Sequence, residues 1–278
     1  MLFALVLILG GSILSEVSSS LGKYSVNHKV VGLFSLGFLN SLIGFGLFAG
    51  MIVFQPDAWK FSLSSVPILA VRIVLDCLQL FWTLKATDAA TRGTFGLVRS
   101  ATIPLVLMAD LFLGYTLGPW MLIGMGLIFS TLVILAALGD LDGKGLKFVA
   151  LSAVNAAITI SLFKYNITHY NSVATEQVIT MFFLATACFV LAKIAKERIS
   201  VVFRRPLLAV EGSALGGAGL LDAFAYMFIP ASVAVTMIRA LSVFWSIVFG
   251  KAYFKETHFV PKLVGCVVIV IGIALLAR

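Results

Sequence analysis

Ten stretches of about 20 predominantly apolar residues follow one another along the chain, at 2–22, 30–54, 64–86, 91–114, 119–138, 147–167, 171–194, 206–228, 231–254 and 260–277. A bilayer core about 30 Å thick takes roughly 20 helical residues to cross, and inside it only a helix or a closed barrel satisfies every backbone N–H and C=O. Runs of this length are too long for barrel strands, so the sequence predicts an all-α integral membrane protein of ten transmembrane helices. Of the 278 residues 61% are hydrophobic and 12% charged, about half the charge of a soluble domain. The net charge of +8 sits mostly in short connectors, where it speaks to membrane orientation and not to nucleic acid. Cys77, Cys188 and Cys266 fall inside apolar runs without a metal-ligand spacing, so no metal site, cofactor or disulfide framework is expected. The opening MLFALVLILGGSIL has no basic residues ahead of it and reads as a first span, in a multi-pass protein of the cell membrane.

Proline marks the boundaries. Its missing N–H is harmless in a first helical turn, and Pro67, Pro119, Pro206 and Pro261 fall there, while Pro56 and Pro230 lie in connectors. Pro104 is the exception, predicted in mid-span, where it would kink the fourth helix.

The chain also repeats itself. Residues 23–28 read KYSVNH and residues 164–169 read KYNITH, 141 positions later. Arg99 matches Arg239 at an offset of 140, and MLIGMGLIF matches KLVGCVVIV near the ends of the two copies. The copies are residues 1–140 and 146–278, joined by the polar connector GDLDGKGLK. With five spans per copy, an odd number, the second copy enters the membrane from the opposite side, so the expected architecture is two inverted-topology five-helix repeats in one transmembrane domain. Basic residues gather in the odd connectors, above all Lys193, Lys196, Arg198, Arg204 and Arg205. Taken alone, that count places both termini outside.

A charge at mid-bilayer costs roughly 2.5–3.5 kcal/mol on insertion scales and marks a bundle interior or a wet path. Ser12, Glu16, Ser19 and Lys23 share one face of the first helix, and Arg72, Asp76, Gln79 and Thr83 one face of the third. Ser152, Asn155 and Thr159 stripe the sixth, Glu176 enters the seventh near its start, and Arg239, Ser242 and Ser246 stripe the ninth. Arg99 with Asp110, and Glu211 with Asp222, are eleven residues apart, near three turns. The candidate substrate-binding or coupling residues are therefore Glu16, Arg72, Asp76, Arg99, Asn155, Glu176, Glu211, Asp222 and Arg239. Arg72 and Asp76 are open to two readings, a closed i, i+4 ion pair or a substrate contact. Lys23 and Lys164 are expected to snorkel toward headgroups, and Asp110, Lys251, His28 and His169 to sit in the interface. Gly46 with Gly50, and Gly212 with Gly216, have the small-xxx-small spacing of close helix packing. The fifth and tenth spans carry no internal charge and are expected at the periphery or at a homodimer contact.

These features resemble the drug/metabolite transporter superfamily, in particular its EamA-type members. The resemblance rests on a lysine closing the first span of each half (SSSLGKY and ISLFKY), on LKATDAATRGTFGLVRSATIPLV and FIPASVAVTMIRALSVFW, and on YFKETHFVPKLVGCVVIVIGIALL with Glu256 ahead of the last helix. The first half departs from this pattern, having Tyr115 and Thr116 in place of that acid. The resemblance implies a secondary transporter that moves a small metabolite or drug-like solute by alternating access through a central cavity, with the last helix of each half outermost. It also implies cytoplasmic termini, against the charge count. In such a cavity Arg72, Arg99 and Arg239 would hold a carboxylate or phosphate, and Glu16, Glu211 or Asp222 would accept a coupling proton. A lipid or aminosugar-lipid flippase is the alternative. A membrane-embedded lipid-carrier phosphatase is less favoured, because no Gly-Ser-Arg cluster follows a proline in either half, and no enzyme activity is expected. The expected partners are a small-molecule substrate and membrane lipids.

Overall fold

The computed structural model describes residues 1–28, 30–89, 101–137, 146–254 and 259–276. Among these residues the regular structure is helical throughout, and ten α-helices follow the ten apolar runs: α1 (Leu2–Asn27), α2 (Leu33–Phe54), α3 (Val66–Ala89), α4 (Thr102–Phe112), α5 (Pro119–Ala137), α6 (Leu146–His169), α7 (Val173–Ile194), α8 (Pro206–Phe228), α9 (Ala231–Phe254) and α10 (Phe259–Leu276). Short 3₁₀ turns at Pro56–Ala58 and Leu63–Ser65 join α2 to α3, and another at Ile199–Phe203 joins α7 to α8. As described, α1, α2, α3, α6, α7 and α8 are long and apolar enough to cross a membrane, while α4, α5, α9 and α10 contribute shorter apolar stretches. Pro206 and Pro119 open their helices, and Pro67 and Pro261 lie in first turns. Pro104 lies in the first turn of the described α4, which begins at Thr102; residues 91–100 of the span in which it is expected at the middle lie outside the described residues.

The helices pack mainly across the two halves of the chain. The principal neighbours are α1 with α8, α3 with α6, α2 with α7, α5 with α10, α2 with α8, α3 with α7, α1 with α9, α4 with α6 and α4 with α9. α1 and α8 run antiparallel, with the Phe3 ring edge-on to Phe228 at 5.2 Å near one end and Ser18 bonded to Glu211 toward the other. α9 forms the middle of the core: Val233, Ala234, Met237 and Ala240 are fully buried.

Identical glycine spacings meet different fates. A Cβ on Gly212 or Gly216 would press on Ile43 or Leu47 of α2, whereas Gly46 and Gly50 face open space. The expected packing role therefore holds for the pair on α8 alone, where the missing side chains let α2 approach closely. α5 and α10 meet each other: a Cβ on Gly124 would lie 2.8 Å from the Gly272 carbonyl oxygen. Their other faces expose Trp120, Ile123, Val267 and Ile271.

The N-terminus of α2 is satisfied from the other half of the chain, and that of α7 by a cap of its own, against which the first half packs. At α2 the donors are the Phe34 and Ser35 amides and the acceptor is the Glu197 carboxylate, at 3.3 and 2.7 Å. Glu197 is delivered there by the end of α7, where Lys196 adopts φ 56° and the Lys196 and Glu197 amides donate back to Lys193 and Ala192, a Schellman closure with lysine where glycine is usual. At α7 the cap is Ser172, which accepts from the Thr175 amide at 3.2 Å, while the Lys60 amide donates to Thr175 Oγ1 and the Ser62 amide to Asn171 Oδ1. Replacing Lys196 with glycine removes the cost of a left-handed side chain and should raise stability by about 1 kcal/mol. Glu197→Ala uncaps α2 and should lower it by about 1 kcal/mol. Thermal unfolding of the detergent-solubilised protein measures both.

Candidate functional site

The polar stripes read on the third and sixth runs face each other. Gln79 Nε2 donates to Ser152 Oγ at 2.7 Å and to Thr83 Oγ1 at 3.1 Å. Asn155 Nδ2 donates to the Leu75 carbonyl at 2.7 Å and to Gln79 Oε1 at 3.1 Å. The Asn155 donors are thus spent on joining α6 to α3, the usual work of an amide between helices in lipid. In α1 the stripe is shorter than expected: Ser12 and Glu16 are buried, but Ser19 is exposed and Ser18 is buried in its place.

Further toward the start of α3, Arg72 lies between two carboxylates. Nη1 donates to Glu176 Oε2 at 2.6 Å, and Nε stands 3.2 Å from Asp76 Oδ2, an ion contact without hydrogen-bond alignment. The guanidinium also lies 4.4 Å from the centre of the Phe163 ring. Glu176, fully buried in the first turn of α7, accepts at its second oxygen from Asn171 Nδ2 at 2.6 Å, and the same amide nitrogen reaches Ser65 Oγ at 2.8 Å. The i, i+4 pair read from the sequence is therefore closed, and it belongs to a larger cluster that ties α3, α6 and α7 together.

Beside this cluster is a cavity of about 180 Å³, lined by Arg72 and Asp76 of α3, Thr159 and Phe163 of α6, Gln177 of α7, and Gly219, Asp222 and Tyr226 of α8. It lies where α3 of the first half meets three helices of the second. Asp222 enters it from α8, and its Oδ1 is buried without a hydrogen-bond donor, seated against Gly11 of α1, where a Cβ would leave it no room. Arg239 on α9 is likewise without a partner at Nε. The two opposite charges do not form an ion pair: among the described residues, the salt bridges within 4.0 Å are those of Arg72.

Two lysine and aspartate expectations are corrected. Lys164 does not snorkel; it is 6% exposed, and Nζ donates to the Tyr226 carbonyl at 2.5 Å and lies over the Tyr115 ring at 5.7 Å. The reason is local: α8 stops at Phe228, and the residue that would close the next i to i−4 bond, Pro230, has no N–H, so the Tyr226 carbonyl needs another donor. Asp110 is not interfacial either. It is fully buried, and Oδ2 accepts from the Ser232 amide at 2.7 Å and hydroxyl at 2.6 Å, capping the start of α9. His28 and His169 are exposed at helix ends as expected. Each Nδ1–H donates to the carbonyl of the tyrosine one turn earlier, Tyr24 or Tyr165, at 2.9 Å, so the two similar hexapeptides end on the same local bond.

Of the other residues named from the sequence, Glu16 is buried within α1, and Glu211 is buried where α8 meets α1 and α2, bonded to Ser18 and Asn40. Arg99, Glu256, the Lys23 side chain and most of the connector 139–147 lie outside the described residues. Residues missed at the sequence level are Asn171, Ser18, Asn40, Gln177 and Tyr226. For Asn171 a signal existed: Asn-Ser immediately ahead of an apolar run is a helix-start pattern. The others are neutral residues in apolar runs and carry no such mark.

No protein-family model matches the sequence, and no curated protein matches it. One protein of known crystal structure is similar to the chain over 98% of both lengths, with a TM-score of 0.72 at 18% identity. At that identity the likeness concerns the fold alone. Among the described residues the regular structure is all helical, with six helices long and apolar enough to span a bilayer, which fits a membrane protein.

Proposed function

We propose that the chain is a ten-span secondary transporter of the drug/metabolite transporter type, built as two inverted five-helix repeats and moving a small metabolite or drug-like solute across the cell membrane by alternating access. The observation that carries this reading is the cavity between the halves, where Asp222, with its Oδ1 buried and without a donor, meets the Arg72 cluster. The pattern of helix neighbours supports the repeat. Exchanging α1–α5 with α6–α10 turns α1:α8 into α6:α3, α2:α8 into α7:α3 and α1:α9 into α6:α4, all of which are contacts of this fold. In this reading Arg72, already offset by Asp76 and Glu176, orders the bundle, and the binding of an anionic group passes to Arg239 and Arg99. Glu16, Glu211 and Asp222 are the carboxylates available to a coupling proton. A second copy of the chain on the outer faces of α5 and α10 belongs to the same proposal.

The test is uptake into proteoliposomes of solutes that raise the thermal stability of the purified protein. Asp222→Asn and Arg239→Ala should each reduce uptake at least about tenfold, the equivalent of one charge-assisted hydrogen bond of roughly 1.5–3 kcal/mol, with unfolding curves unchanged. Uptake at the wild-type rate in both variants removes the cavity from the transport path.

One feature favours the flippase alternative. An apolar groove of about 410 Å³ runs between α4 and α6, lined by Leu105, Phe112, Val154, Ile158 and Tyr165 among others, with Phe112 and Val154 exposed at its edge. Translocation of a labelled lipid by liposomes that take up no soluble solute would favour that reading.

A further inference from the structure

α8 carries a second buried carboxylate, three turns before Asp222 and outside the cavity. Glu211 is 3% exposed. Its Oε1 accepts from Ser18 Oγ at 2.9 Å and from Asn40 Nδ2 at 3.2 Å. Its Oε2 is buried with no donor, and so is the other end of the same amide, Asn40 Oδ1. Two orphaned acceptors thus belong to an acid and an amide that already share one hydrogen bond. An ionised carboxylate here would sit in the bundle interior with two neutral donors and no cation, an arrangement that low dielectric penalises heavily.

A single proton resolves both vacant acceptors. Placed on Oε2 it makes the carboxyl neutral and creates a donor, and the acceptor lacking a donor on the adjoining amide is Asn40 Oδ1. With Asn40 Nδ2–H donating to Oε1 and Oε2–H donating to Oδ1, acid and amide present complementary edges. Reversing the amide would set Oδ1 against Oε1, so Glu211 itself fixes how Asn40 is turned.

We propose that Glu211, Asn40 and Ser18 form a buried proton-binding site, in which the neutral Glu211 carboxyl closes a two-bond pair with the Asn40 amide. The role of this site as a coupling site rests on the transporter reading above. Protonation takes one proton from water and converts the carboxylate to the acid; release returns it. Of the elements packed on α8, α2 contains no ionisable residue. α1 carries Glu16 and Lys23, and the segment Ile199–Phe203 is flanked by Arg198, Arg204 and Arg205. α6 carries Lys147, Lys164 and His169, α7 carries Glu176 and Lys193, and α9 carries Arg239 and Lys251. Lys164 and Glu176 are bonded to Tyr226 and Arg72 at the cavity end, and Glu211 forms no ion pair within 4.0 Å among the described residues.

The site is mechanically joined to the cavity through one rigid helix. Glu211 and Asp222 are eleven residues apart, about 16 Å along α8. Gly22 of α1 lies so close that a Cβ there would come within 3.3 Å of Glu211 Oε1, so the charge on Glu211 governs how tightly α1 and α2 close on a helix that is also a wall of the cavity. The position has a telling counterpart: Glu211 stands five residues after Pro206, and Arg72 five residues after Pro67. In the first half that position holds a cation with its charge offset; in the second it holds an acid that is not.

The experiment is infrared difference spectroscopy on the full chain in proteoliposomes during a pH change, together with uptake. The expected result is a protonated-carboxyl band that is absent in Glu211→Gln and shifted in Asn40→Leu, where the acid remains but its amide partner is gone. The Asn40 variant keeps the test open should Glu211→Gln fold poorly. Glu211→Gln should also lose accumulation driven by a pH gradient while retaining solute exchange at equal pH. A band unchanged by both substitutions overturns the proposal, as does stabilisation by sodium ions at constant pH that Glu211→Gln abolishes, which would mark a sodium site. The band behaving as expected in a protein that transports no solute upholds the proton site and overturns the transporter reading.

Discussion

Replacing Arg72 with methionine will destabilise the protein by about 3–5 kcal/mol, because it strands the buried Glu176 and the half-buried Asp76, which have no other cation within 4.0 Å among the described residues. Glu176 is fully buried and meets Arg72 at 2.6 Å, and Asp76 faces the same guanidinium at 3.2 Å. The remaining donor to Glu176 is the neutral Asn171 amide, which cannot offset a full charge. The loss should be much smaller when Arg72→Met is made together with Asp76→Asn and Glu176→Gln, since all three charges then leave at once. Strong non-additivity in thermal unfolding is the expected signature of one network. The same variants separate the two readings of Arg72. A bundle-ordering arginine costs stability when removed, whereas one that held a substrate anion would cost uptake with the unfolding curve unmoved.

The second large effect contrasts two glycines three residues apart on α8. A Cβ on Gly216 would lie 2.9 Å from Leu47 Cδ1 and 3.3 Å from Ile43 Cγ2, against α2. Gly216→Leu should therefore force α2 away, with a loss of roughly 1–3 kcal/mol or more from overpacking. Gly219 lines the cavity, with nothing within 4 Å of the position a Cβ would take. Gly219→Leu should fold at least as stably, since glycine costs about 0.8–1 kcal/mol in a helix, yet occupy a cavity of about 180 Å³ and abolish uptake. Normal folding with normal uptake in Gly219→Leu would refute the cavity as the path; normal stability in Gly216→Leu would refute the close α2 contact.

Much of the local structure was legible in the sequence. The helix starts marked by Pro67, Pro119 and Pro206 lie within one residue of those prolines. Arg72 and Asp76, one turn apart, could be expected to meet, and the stripes Gln79–Thr83 and Ser152–Asn155 announced polar faces that had to find partners. Their partners were not legible. Nothing near Arg72 in the chain names Glu176, 104 residues away, and nothing near Lys164 names the Tyr226 carbonyl. The sequence shows how near Lys164 lies to its helix end, which predicts a headgroup anchor, and does not show the carbonyl on another helix that accepts its hydrogen bond.

The difference has a physical cause. Covering every backbone polar group in an apolar solvent demands helices of a given length, so the apolar runs determined the helical class, the order of the elements and the positions of their ends. In lipid, however, both the inward and the outward faces of a helix are apolar, and the periodicity that would reveal which face is buried is weak. Pairing is then decided by steric fit and by charge satisfaction. Gly212 and Gly216 found α2 while Gly46 and Gly50 found open space, and the Arg72 charge was offset while the Glu211 carboxylate was left with neutral partners alone. Only the tertiary structure decided these outcomes, because each depends on what another helix, far along the chain, brings to the same place.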